Sequence, residues 1–166
     1  PVDLAAQRTE YQKRGIGLNV GLMVPHGSVR NAVLGMSDRD PAAADLAKMT
    51  ALVGDGMRAG AFGLSSGLYY APGSYSKTAE VIAMAREAAP FGGTYSSHIR
   101  DEADYGIGVV AAVDEVITIA EQAGVTGVVT HMKALGPASW GLSKTLVAHI
   151  EAARSRGVKV FADQYP

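Results

Sequence analysis

The feature that most constrains this chain is a recurrence of about 32 residues. Strand-like runs begin near residues 61, 94, 126 and 158, as "AFGLSSG", "TYSSHI", "VTGVVTH" and "VKVFADQYP". An earlier run, "IGLNVGLMVP" from Ile16 to Pro25, reads as a further strand. A parallel pair of strands needs a crossover of about a dozen residues or more, usually a helix, and one βα unit consumes roughly this length of chain. The intervening segments carry helical spacing. In "PAAADLAKMTALVGDGMRAG", Leu46, Met49, Leu52, Val53 and Met57 share a face, with Asp40 as the expected N-cap and Pro41 at the first helical position. "SKTAEVIAMAREAAPFG" is a helix ended by Gly92 and Gly93. In "GIGVVAAVDEVITIAEQAG", Val109, Val113, Val116, Ile117 and Ala120 align, and Gly124 closes the run. Leu142, Leu146, Ile150 and Ala153 align in "WGLSKTLVAHIEAARSRG", closed by Gly157. The prediction is one α/β domain over residues 1–166, with five parallel strands joined by four helices. Leucine-rich and ankyrin repeat signatures do not occur.

The strand ends choose between a doubly wound sheet and a (β/α) barrel. They carry His26, Ser65 and Ser66, His98, His131 and Asp163. A barrel gathers its active site from every strand end, whereas a doubly wound sheet concentrates it at one switch point. No GxGxxG follows the first strand and no GxxxxGK[ST] occurs anywhere, so dinucleotide and P-loop readings fail. The barrel is favoured.

Composition excludes several function classes. Charged residues are 19% of the chain, hydrophobic residues 48%, and the formal net charge is −1. This predicts a globular, soluble protein with no field to attract nucleic acid or an anionic membrane. No apolar run reaches the ~20 residues of a membrane helix. There is no cysteine, which removes disulfides and thiolate metal ligands from these residues. The expected location is cytoplasmic, although the first residue is Pro1 rather than Met.

His98 and His131, one βα unit apart, end adjacent predicted strands. Neighbouring strands lie about 4.8 Å apart, so both imidazoles can reach one ion such as zinc at roughly 2.0–2.1 Å. The bland alternative is two histidines that hydrogen-bond at polar strand ends, and spacing alone does not separate the two.

Five motifs, "HGSVR" from His26, "GAFGLSSGLYYAPGSY" from Gly60, "GGTYSSHIRDE" from Gly92, "THMKALG" from Thr130 and "DQYP" from Asp163, resemble in order the middle of the D-aminoacylases. These are N-acyl-D-amino-acid deacylases of the amidohydrolase superfamily. The resemblance runs from about Ile16 to Pro166. It implies a partial (β/α)8 TIM-like barrel of the amidohydrolase type, about strands 3 to 7, and zinc as cofactor. It implies that His98 and His131 are metal ligands, that Lys133 binds the carboxylate of a small-molecule N-acyl-D-amino acid, and that Tyr165 contacts substrate. Tyr69 and Tyr70 are expected near the scissile carbonyl, with a packed loop as the alternative. His26 and Arg30 are expected to hydrogen-bond internally, His149 to lie on the surface or in a helix contact, and Trp140 to pack. Arg100, Asp101 and Glu102 either surround His98 or form a solvated loop.

The chain also departs from the family pattern. The HxH pair and metal-binding cysteine of the family are absent, and its general-base aspartate is expected outside these residues. The chain by itself is therefore expected to be inactive, completed by remaining barrel segments or an oligomer partner. A non-catalytic barrel piece is one alternative. A dihydroorotase or hydantoinase is another, disfavoured because "GAFGLSSG" lacks the lysine those enzymes carry.

Overall fold

A computed structural model describes residues 3–165. Five strands form one sheet in chain order, and every neighbouring pair is parallel. The strands are β1 (Val24–Pro25), β2 (Gly63–Gly67), β3 (Thr94–His98), β4 (Thr126–Val129) and β5 (Val160–Ala162). Six helices accompany them: α1 (Leu4–Arg14), α2 (His26–Leu34), α3 (Ala43–Arg58), α4 (Thr78–Ala85), α5 (Val109–Ala123) and α6 (Ser143–Ser155). No helix among the described residues is long and apolar enough to cross a membrane.

The sheet has two unlike faces. Leu64, Tyr95, Ser97, Gly127, Val129 and Val160 are buried toward the helices. Ser65, Ser96 and Val128 alternate with them on the opposite, half-buried face. The helices pack their apolar stripes on the first face; Val109, Val113, Val116, Ile117 and Ala120 of α5 are all buried. Burial of each such valine or isoleucine contributes about 1.5–3 kcal/mol. Gly127 lets α5 approach β4, since a Cβ there would lie 2.8 Å from that of Ala120. Tyr95 is fully buried, with its hydroxyl 2.7 Å from Ser66 Oγ, and burial pushes its phenol up to about 12.

Several local expectations change. Only Val24 and Pro25 of the run Ile16–Pro25 form a strand. The carbonyl of Leu22 still accepts from Phe62 N–H at 2.8 Å, but Ile16, Leu18 and Val20 are exposed and lack a ladder partner among the described residues. Helix α3 begins at Ala43 rather than Pro41. Asp45 reaches back to the N–H of Ala42 at 3.2 Å, while Asp40 pairs with Lys77 instead of capping. Helix α4 ends at Ala85 and continues as 3₁₀ turns to Phe91, because Pro90 cannot supply an N–H. Helices α1 and α2 were not anticipated; α2 begins at His26, immediately after β1. Trp140 is 71% exposed rather than packed.

His26 and Arg30 hold α2 to α4 through Glu80. His26 Nε2 lies 3.0 Å from Glu80 Oε1, and Arg30 donates to the other carboxylate oxygen and to the Arg39 carbonyl at 2.8 Å. All three side chains are buried. Burial raises the Glu80 carboxyl, but the hydrogen bonds from His26 and Arg30 outweigh it and leave the group below the usual glutamate range.

Removing one partner of a buried pair leaves the other charge uncompensated. Glu80→Ala is therefore expected to lower the unfolding free energy by roughly 3–5 kcal/mol in urea titration. Because the folded carboxyl titrates below its unfolded value, its contribution is complete above about pH 4.3 and is lost as the pH falls through the folded value. The gap between Glu80→Gln and the parent protein should accordingly shrink on acidification. A gap that is constant or that widens below pH 4 contradicts this assignment.

Candidate metal centre

Strand β3 ends at His98, on the half-buried face with Ser96. The register pairs Ser97 with Val129, and Thr130 N–H continues the ladder to the Ser97 carbonyl at 3.0 Å. Thr130 thus stands beside His98, and its hydroxyl lies 2.6 Å from that of Ser96 on the same face. Strict alternation would then send the next residue, His131, to the helix side. Instead, His131 Nε2 lies 3.0 Å from His98 Nδ1.

A bulge makes this possible. Asp163 N–H donates to the Val129 carbonyl at 3.2 Å, as a parallel ladder requires. The next bond should come from His131 N–H to the Asp163 carbonyl, but Met132 makes it, at 2.7 Å. His131 is the extra residue, with φ at 44°, in the left-handed region. It is the one non-glycine residue with positive φ among the described residues. Such a conformation costs about 1–3 kcal/mol and is maintained only where surrounding contacts impose it. The freed His131 N–H donates to Asp163 Oδ1 at 2.5 Å.

Three further groups surround the pair. Glu102 Oε1 lies 3.1 Å from His131 Nδ1 and 4.0 Å from His98 Nδ1. Lys133 Nζ lies 2.6 Å from the same Glu102 oxygen and 2.9 Å from His131 Nδ1. Tyr70 and Tyr69 stand against His98, with ring centroids 4.9 and 6.1 Å from it. Tyr165 lies 6.3 Å from the His131 ring, and Lys133 is 5.3 Å from the centre of the tyrosine ring. The structure therefore gathers all six residues singled out in the sequence, His98, His131, Lys133, Tyr69, Tyr70 and Tyr165, around one strand-end site.

The loops that build the site are internally tied. Arg100 donates to both Glu115 oxygens on α5, at 2.9 and 2.8 Å, and to the carbonyls of Ser74 and Ser76. It thereby anchors the segment that follows Tyr69 and Tyr70. Asp101 accepts from the N–H groups of Ala103, Gly106 and Gly108 at 2.9, 2.7 and 3.0 Å. Burial raises its carboxyl, but these donors outweigh burial and hold it below the usual aspartate range. Of the three charges after His98, Arg100 and Asp101 build the loop and Glu102 alone faces the imidazoles. Sequence reading left that division open and placed Asp163 in a motif without a task. His149, as expected, lies in a helix contact, 2.7 Å from Asp114.

His98, Glu102 and His131 each offer one ligand atom, all within 4.8 Å of one another, so the group fits a metal ion. Imidazole and carboxylate donors suit zinc. Burial, reinforced by His131 and Lys133 against Glu102, draws the His98 imidazole below the ordinary histidine range, favouring the neutral form a metal needs. Lys133 against Glu102 places a cation on the far edge of His131. The Glu102 carboxylate is thus shared between that cation and the Nδ1 edge of His131.

No protein-family model matches the sequence. Over 153 residues, 90% of this chain, it is 42% identical to an N-acyl-D-glutamate deacylase of Alcaligenes xylosoxydans xylosoxydans, of which it covers 30%. A D-aminoacylase of the same organism is 34% identical over 149 residues, again with 90% of this chain and 30% of the relative. An N-acyl-D-glutamate deacylase from Bordetella bronchiseptica, solved with zinc and a phosphonate mimic of the tetrahedral intermediate, superposes with a TM-score of 0.92 at 38% identity. That alignment covers 99% of this chain and 34% of the solved one. The chain thus spans about a third of the length of the relatives it matches.

Proposed function

This chain belongs to the N-acyl-D-amino-acid deacylase family of the amidohydrolase superfamily, and we propose from that premise that it supplies part of a zinc-dependent site hydrolysing the amide of N-acyl-D-amino acids. Residues 1–166 take the place of strands 3 to 7 of the family's barrel, and the other barrel strands complete the site. The observation that carries this reading is the 3.0 Å approach of His98 Nδ1 and His131 Nε2, with Lys133 beside them.

His98 and His131 would hold the ion. When bound, zinc supplies Lewis acidity toward the amide carbonyl and toward a water molecule. Glu102 Oε1 stands 3.1 Å from His131 Nδ1, on the ring edge away from His98, and orients the imidazole whose Nε2 faces its partner. Lys133 pairs with the substrate carboxylate as a point charge and fixes which face of the α-carbon meets the imidazoles. Lys133 already carries one carboxylate partner, Glu102, which holds its ammonium at the rim of the site. Tyr69 and Tyr70 stand beside His98 and Tyr165 beside His131, where their rings can flank the substrate. Products are a carboxylate and a free D-amino acid.

Two outcomes are expected in the full-length protein. His98→Ala and His131→Ala each abolish stoichiometric zinc, read by elemental analysis, together with deacylation of N-acetyl-D-amino acids; full occupancy with near-parental turnover refutes the ligand assignment. Lys133→Met raises KM by about tenfold or more while the zinc content stays at the parental level. An unchanged KM removes Lys133 as the carboxylate anchor.

A further inference from the structure

We infer that Asp163 is a positioning residue of the metal centre, its carboxylate holding His131 in the left-handed bulge that turns the imidazole toward His98. The inference rests on the reading of His98 and His131 as ligands and adds a residue that this reading does not require.

Two different parts of Asp163 act on β4. Its main-chain N–H and carbonyl bond Val129 and Met132, on either side of His131, and these bonds are independent of the side chain. They skip His131 and leave its N–H without a ladder acceptor. Only the carboxylate fills that gap, at 2.5 Å. Were His131 to relax to the extended conformation, its N–H would return to the Asp163 carbonyl, and alternation would carry the ring to the helix side of the sheet, away from His98. The carboxylate therefore stabilises the one backbone state in which both imidazoles share a face. Histidine is among the residues that enter the left-handed region more readily than most, which makes the bulge tolerable but does not impose it. Glu102 acts on the ring of the same histidine at Nδ1, and Asp163 acts on its main chain. The two constraints are separate.

The test uses the full-length protein and its Asp163→Ala, Asp163→Asn and Asp163→Gln variants. Zinc affinity is read by chelator competition and ligand geometry by the visible spectrum of the cobalt-substituted form, with circular dichroism as the folding check. Asparagine keeps an acceptor at the same reach, so Asp163→Asn should retain zinc affinity and the parental cobalt spectrum. Asp163→Ala should lose about 10- to 100-fold in zinc affinity and shift the spectrum, as removal of an outer partner of a ligand does. Glutamine moves the acceptor outward by one methylene. Asp163→Gln should therefore behave like alanine while remaining polar, which keeps the test decisive if the alanine variant does not fold. Parental zinc affinity and spectrum in Asp163→Ala or Asp163→Gln overturns the inference, as does equal loss in Asp163→Asn. A parental protein that binds no zinc overturns the ligand reading as well, so the two failures are distinguishable.

Discussion

Side chains in a parallel ladder change face at every residue, and a site built from two neighbouring strands must respect that period. His98 stands beside Thr130, so Thr130 is the residue whose side chain shares its face without distortion. The second imidazole comes one position later. A single left-handed residue, His131, absorbs the mismatch, and the 3.0 Å approach of the two rings depends on it. Bulges recur beside active sites because they re-aim one side chain without dismantling the sheet. Here the ladder resumes at once, through Met132 and Asp163.

The cost of that conformation is met by acceptors placed around it. Four carboxylates divide the work near the site. Asp163 takes the main-chain N–H of His131, Glu102 faces its ring, Asp101 gathers three loop N–H groups, and Glu115 receives Arg100. None of the last three stands alone, since each accepts from a cation or from several amides. In a partly buried setting such bonds are stronger than in water, and an unmatched partner costs correspondingly more. Arg100 links this network to the Tyr69–Tyr70 segment, because it binds α5 and the carbonyls of Ser74 and Ser76 at once. The aromatic wall beside His98 is thereby fixed to the same helix that supports β4 at Gly127.

The inner face of the sheet explains why the site sits at its end and not along it. Ser65, Ser96 and Val128 are small and only half-buried, so the face offers room and modest polarity but no ligand of its own. Stability comes from the opposite face, where the helices bury Leu64, Tyr95, Val129 and Val160. Packing and chemistry are separated by the pleat. The candidate site residues fall at the strand ends and in the loops after them, where change is felt as function rather than as loss of core.

The period of about 32 residues, the helical stripes and the chemistry of the strand ends were legible in the sequence, because each follows from local spacing. They gave five parallel strands and placed His98 and His131 at one end of the sheet; Lys133, Tyr69, Tyr70 and Tyr165 were added by the resemblance to the D-aminoacylases. The sequence did not reveal how short β1 and β5 are, since strand length depends on partners and not on apolar runs; Ile16, Leu18 and Val20 read as strand and lie exposed. It did not reveal α2 either, where His26 and Arg30 looked like strand-end residues until Glu80, more than one element away, received them both. The roles of Glu102 and Asp163 were hidden for the same reason: a carboxylate in a loop shows its acceptor only when another strand arrives. What the sequence determined by itself was which polar residues stand at or next to each strand end. Which way the second histidine points was decided by tertiary structure, because a ladder bond between Asp163 and Met132 displaces His131 from its register, and no property of residues 126 to 133 alone requires that.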